Sequence, residues 1–200
     1  MKNPHLLLLV LSLIILNACG KEKFIEEQIF NSIPVTGNLT GIVVDESQQP
    51  IKDAVIEMKE YTTTTDENGV FKFVDAVALT TGTLVNIKKE GYFTGYKFTS
   101  FQPDQNSVLK VQLIRKKIVA TFNSSEEKTI DVSGAELHIP AGITTHADGS
   151  LYSGIVNVRA HYYDPTNQQT ISNMPGDLRG LDSEGLAVQL TTYGMMAVEI

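Results

Sequence analysis

The sequence predicts an all-β protein, a β-sandwich followed by a second, incomplete β-sandwich module, and three observations carry that expectation. Leu39, Gly41 and Val43, then Ala54, Ile56 and Met58, then Phe71 and Phe73 recur at every second position, the period that lines one face of a strand. Polar turn sequences, Glu46-Ser-Gln-Gln-Pro50, Asp66-Glu-Asn-Gly69 and Thr80-Thr-Gly82, interrupt these runs at the spacing of roughly ten residues that all-β sandwiches use. Hydrophobic residues make up 42% of the chain, with no Trp and only 8% aromatics, so its cores are aliphatic with Phe and Tyr. A single cysteine excludes an intramolecular disulfide and leaves stability to packing.

Residues 1–18 read as a leader. Lys2 is its one charge, and Leu6 to Leu16 is Leu, Val and Ile throughout except for Ser12. That run is shorter than the stretch of about 20 residues a transmembrane helix needs and suits a secretory h-region. Leu16-Asn-Ala-Cys19 follows, with the chain's one cysteine where the apolar run ends. This resembles the bacterial lipobox, although Asn17 departs from its usual small or aliphatic residue. The resemblance implies that Cys19 is acylated, palmitate among the chains, and becomes the new N-terminus. An ordinary cleaved signal and a buried apolar helix are the rival readings. One acyl chain holds a protein only marginally, at about 0.8 kcal/mol per buried CH₂, whereas the several chains of a bacterial lipoprotein anchor it durably. Gly20 in place of Asp implies, by the same resemblance, the outer membrane, on either its periplasmic or its surface face. Residues 19–36 then form the lipidated cysteine and a tether, charged at Lys21-Glu-Lys-Phe-Ile-Glu-Glu27 and broken by Pro34.

The first module is expected over 37–116. Beyond Phe73, the alternation resumes at Ala76–Leu79, at Val85 and Ile87 with Asn86 and Lys88 outward, at Tyr96 and Phe98, and at Val111 and Leu113. The order Gly41-x-Val43-x-Asp45, Pro50-Ile51, Ala54-x-Ile56, Thr65-Asp66-x-Asn68-Gly69-x-Phe71-x-Phe73 and Lys89-x-Gly91-Tyr92 resembles the carboxypeptidase regulatory-like domain, a transthyretin-like sandwich. Those motifs are turns and core positions, so the resemblance implies a fold and an accessory role rather than a reaction.

The second module is expected over 117–200. Ile118–Phe122 and Thr129–Val132 are short strands. Ala135, Leu137 and Ile139 alternate up to Pro140, and Gly154–Tyr163 places Val156, Val158, Ala160 and Tyr162 on one face. A polar excursion through Met174-Pro-Gly-Asp-Leu178 leads to strands at Leu186–Leu190 and Gly194–Ile200. Leu137-His-Ile-Pro-Ala-Gly142 is similar to the core motif of ZU5-type β-modules. Val188 and Leu190 are left with little to cover them, and Ile200 falls in mid-pattern, so the chain is expected to be a fragment of a longer protein.

No catalytic set, metal site or cofactor motif is expected. A zinc peptidase needs His-x-x-Glu and a further His. His161-Tyr-Tyr-Asp164 has the spacing with the wrong acid, at a strand end where i and i+3 face opposite ways. His138 falls on the outward parity of its strand and His146 in a loop. Asp66-x-Asn68-Gly69 has its Gly too early for a calcium loop and reads as a hairpin. Asp148, Asp164, Asp177, Asp182 and Glu184 would meet round a cation only if the second module gathered them, and a solvated rim is the plainer reading. The net charge is −7, and −8 without residues 1–18, with no basic stripe. That excludes nucleic acid as a partner. The function expected is a non-catalytic envelope lipoprotein held to the membrane by its lipid, whose modules bind or present a glycan or another envelope protein. Two readings stay open beside it: an accessory region of a larger envelope peptidase or glycan hydrolase, and a purely structural spacer.

Overall fold

In the computed structural model, which describes residues 32–200 apart from 103–104, 168–169, 171–172 and 185–186, the strand β1 (Pro34–Val44) is the centre of the first module. It takes in Pro34–Thr36, which the sequence pattern left with the tether, because a proline is tolerated as the first residue of a strand. The strands that follow are β2 (Val55–Met58), β3 (Tyr61–Thr64), β4 (Val70–Leu79), β5 (Thr83–Lys88), β6 (Gly95–Thr99) and β7 (Asn106–Gln112). They form two sheets, β4-β1-β7 and β3-β2-β5-β6, with β4 antiparallel and β7 parallel to β1.

The alternation sends the expected residues inward. Leu39, Val43, Ile56, Met58, Phe71, Phe73, Val85, Ile87, Val111 and Leu113 are buried in one cluster between the sheets. Gly41 stands opposite Phe71 in the register, and a Cβ at Gly41 would overlap the Phe71 ring. The missing side chain is the space the ring occupies. One feature of β4 breaks simple parity. Phe71 and Phe73 are buried at odd positions, Ala76 and Ala78 at even ones. A shift in the β1–β4 register between Gly37 and Leu39 reconciles them. At this bulge Asp75 has φ 52°, and its N–H donates to Asn38 Oδ1 at 3.0 Å. One extra residue flips the faces of the rest of the strand.

β6 departs from what its aromatics suggest. Val85 pairs with Lys97 and Ile87 with Gly95, so Gly95, Lys97 and Thr99 face the core side while Tyr96 and Phe98 face out. The reason is space: a Cβ at Gly95 would already stand 2.7 Å from Leu113 Cδ2, leaving no room for a ring on that side.

The second module contains β8 (Ile118–Asn123), β9 (Lys128–Val132), β10 (Ala135–Ile139), β11 (Ile155–Tyr163), β12 (Arg179–Leu181), β13 (Ala187–Gln189) and β14 (Met195–Glu199). β11 is central in the sheet β14-β11-β8, and the β9–β10 and β12–β13 pairs stand apart from it. Phe122, Val156, Val158 and Ala160 on the sheet pack against Ile130, Val132 and Ile139 of the β9–β10 hairpin. Val198 pairs with Ala160 and so shares the core face, yet it is 42% exposed.

A third cluster joins the modules: Phe93 and Ile114 from the first are buried with Tyr163 and Met174 from the second. The excursion around Met174 closes over β6. Gly176 N–H donates to Tyr96 O at 2.9 Å, Lys97 Nζ to Met174 O at 3.0 Å, and Asn173 Nδ2 to Gln112 Oε1 at 2.6 Å. Burial against this segment lowers the Lys97 pKa from its ordinary value. Lys116 and Arg159 both reach Glu199.

Candidate functional site

Cys19, the lipidation site expected from the sequence, lies outside the described residues. The residues weighed for metal chemistry are held in separate local structures. His161 lies edge-to-face on Tyr163 with centroids 4.7 Å apart. Asp164 turns away into a loop, where Oδ1 accepts from Thr166 N and Oγ1 at 2.8 and 2.7 Å. His138 meets Thr129 Oγ1 across the β9–β10 hairpin at 3.2 Å, and His146 packs against Tyr152. Asp148 accepts from Ser150, Asp177 pairs with Arg179, and Asp182 accepts from Glu184 N–H in the β12–β13 turn. Asp66 closes a hairpin by accepting from Asn68 and Val70 N–H groups, with Gly69 at φ 71°. Among the described residues no three His, Cys, Asp or Glu side chains gather as a metal site.

Two arrangements outside those motifs are better built. The first is the module junction. Asp45, buried at the end of β1, accepts from Ser47 and Gln49 N–H groups and from Arg115 Nη2 at 2.9–3.0 Å. Burial raises its pKa, but those donors outweigh it and hold the carboxyl below its usual range. The Arg115 guanidinium also lies over the Tyr92 ring at 4.8 Å, and the Arg115 backbone N–H donates to Glu46 Oε1. The Glu46 charge is also felt by His161 and Tyr163. Burial pushes the Tyr163 hydroxyl up to about 12, and Glu46 adds to that. Burial depresses His161; Glu46 opposes this and Lys117 reinforces it. The junction is packed from aromatic rings and paired charge contributed by both modules.

The second is the outward face of β5 and β6. Leu84 pairs with Phe98 and Asn86 with Tyr96, and Leu84, Tyr96 and Phe98 are each 38–40% exposed. Asn86 Oδ1 is buried beneath this surface without a hydrogen-bond partner. Arg179 comes from the second module to lie 5.8 Å from the Phe98 ring and donates Nη1 to Thr81 O at 2.8 Å. The carboxylates nearby, Asp177 and Glu57, are paired with Arg179 and Lys88. Sequence alternation names Tyr96 and Phe98 as strand residues, but only the β5–β6 register reveals that they are displayed.

No protein-family model matches the chain. Among curated proteins, 46% of the chain is similar to a segment of human cartilage intermediate layer protein 2, with 35% identity over 98 aligned positions. A stretch of 65 residues, 32% of the chain, is 43% identical to the mouse protein of that name. The chain spans only 8% and 6% of the length of these two relatives. Among solved structures it is similar to a type II cohesin–X-dockerin complex from Acetivibrio cellulolyticus, with TM-score 0.34 and 20% identity over 42% of this chain and 61% of that one. It is also similar to the Bacillus anthracis TIE protein, with TM-score 0.32 and 13% identity over 80% of this chain and 32% of that one.

Proposed function

We propose that this chain is a non-catalytic envelope lipoprotein, anchored through Cys19 to the outer membrane, whose two β-modules act as one scaffold for binding or presentation. In this reading residues 37–116 are a carboxypeptidase regulatory-like module and 117–200 a ZU5-like one. The observation that carries it is the junction. Phe93, Ile114, Tyr163 and Met174 are buried together and the Met174–Arg179 segment is bonded to β6, which makes a two-module body that displays side chains in fixed positions. Recognition on β-sandwiches uses surfaces held by such rigid elements. The apolar run ending in Leu16-Asn-Ala-Cys19 supports the anchor.

The similarity to a small part of a much longer protein is compatible with a second reading, in which these modules are an accessory region of a larger envelope peptidase or glycan hydrolase. Fractionation of a Gram-negative host expressing the full chain tests the anchored reading. The wild type is expected in the outer-membrane fraction and Cys19→Ala in the soluble one. A wild type found wholly in the soluble fraction would defeat it.

A further inference from the structure

We propose that the outward face of β5 and β6, formed by Leu84, Tyr96 and Phe98 with Ile33 beside the same turn, is the surface that the anchored protein seats in the boundary between lipid headgroups and acyl chains. This rests on the reading that Cys19 is a membrane anchor, and it adds which side of the molecule meets the lipid.

The first observation is where the chain joins the sandwich. Ser32 Oγ is 2.7 Å from Thr81 Oγ1, Ile33 N–H donates to Thr80 Oγ1, and Thr80 N–H donates to Ile33 O. The root of the tether is therefore fixed to the β4–β5 turn. Gly82 of that turn has φ 127°, and a Cβ there would stand 3.4 Å from Phe98 Cδ1 and 2.9 Å from Arg179 Nη2. Tether root, turn and aromatic face are thus contiguous. The 12 residues between Cys19 and Ser32 bridge at most about 45 Å when fully extended. That length bounds how far the turn can stand from the bilayer and so raises the effective concentration of lipid around it.

The second observation is composition. Tyr and Phe rings with an arginine are suited to a boundary between apolar and wet surroundings. Ile33, 58% exposed, extends the apolar surface to the tether root. Charge does not oppose the contact: although the chain carries −7, the carboxylates named on this face, Glu57 and Asp177, are each paired with a cation. Apolar contact rather than attraction to anionic lipid is then the driving term. Exposure alone does not single out this face. Tyr193 is 91% and Val108 82% exposed, but Tyr193 lies in the second module, and Val108 lies on the outer face of the opposite sheet, beside Thr40 and six residues along β1 from Pro34.

The absence of Trp from the chain makes the test direct. Phe98→Trp and Val108→Trp each give a single fluorophore at an outward position. The full chain is expressed with its leader, purified from membranes and reconstituted into phosphatidylethanolamine–phosphatidylglycerol vesicles with brominated acyl chains. The Phe98→Trp protein is expected to lose most of its emission and the Val108→Trp protein to keep it. Equal quenching of the two, or an unquenched Phe98→Trp protein, would overturn the proposal. So would an unquenched Phe98→Trp protein whose emission shifts on adding a soluble glycan, which would make this face a saccharide platform instead. If the chain is not recovered from membranes, the anchor reading fails on its own. The orientation is then decided by the same two variants with Cys19, the only cysteine, coupled to a maleimide phospholipid.

Discussion

Phe71→Ala probes the packing of the first module where the structure makes the sharpest demand. Phe71 is 2% exposed, lies edge-to-face on Phe73 with centroids 6.0 Å apart, and fills the space left by Gly41. Removing the ring forfeits about 1.5–3 kcal/mol of transfer free energy. The cavity left behind adds about 24 cal/mol per Å³, so the total loss is about 3–5 kcal/mol. Against a typical domain stability of about 5–15 kcal/mol, urea unfolding will register that as a large fall in midpoint. Gly41→Ala sharpens the test. Its added methyl would strike the Phe71 ring and stand 2.8 Å from Leu109 O, so alone it is expected to cost about 1–3 kcal/mol through overpacking. In the Phe71→Ala background the ring is gone, and part of that cost should vanish as a coupling of about 0.5–3 kcal/mol. Additive losses would refute the claim that the glycine exists to admit the ring.

Two further expectations concern the junction. Met174, 4% exposed, is expected to cost about 2–5 kcal/mol when changed to Ala. Amide exchange at Gly176, bonded to Tyr96 O, should accelerate while that at Val43, bonded to Gly69 O, does not. Equal acceleration at both would contradict a local clasp. His161 has its pKa lowered below 6.5, mainly by burial, so folding favours the neutral imidazole. Its contribution is complete above pH 6.5 and is lost as pH falls through the folded value. The urea midpoint should therefore fall less steeply on acidification in His161→Gln than in wild type, and parallel profiles would contradict the placement.

Where strand alternation is backed by a local turn, the structure follows the sequence. Leu39 to Val43, Ala54 to Met58 and Phe71 to Phe73 face the core as their parity requires, because a one-residue slip would expose each whole set. The bulge at Asp75 was not legible: Val77 and Leu79 continue the parity of Phe71 and Phe73, and only the β1–β4 register shows that Ala76 and Ala78 are the buried pair. β6 was not legible. Its parity is decided by Leu113 crowding Gly95 and by Lys97 finding a partner in Met174, 77 residues further on. No local pattern encodes such a pairing. The same holds for the junction, where Asn173 reaches Gln112 across 61 residues. The candidate residues His161 and Asp164 share a metal-like spacing in sequence, but strand geometry and the Thr166 turn separate them. Leu84 and Phe98 reveal their common face only once β5 and β6 are in register.

The measurement that tests the account most directly is mass spectrometry of the N-terminal peptide of the protein recovered from a Gram-negative host. The peptide is expected to begin at Cys19, with its mass raised by a diacylglyceryl group and an N-linked acyl chain. An unmodified thiol at Cys19, or a peptide that retains residues upstream of it, would contradict the anchored scaffold.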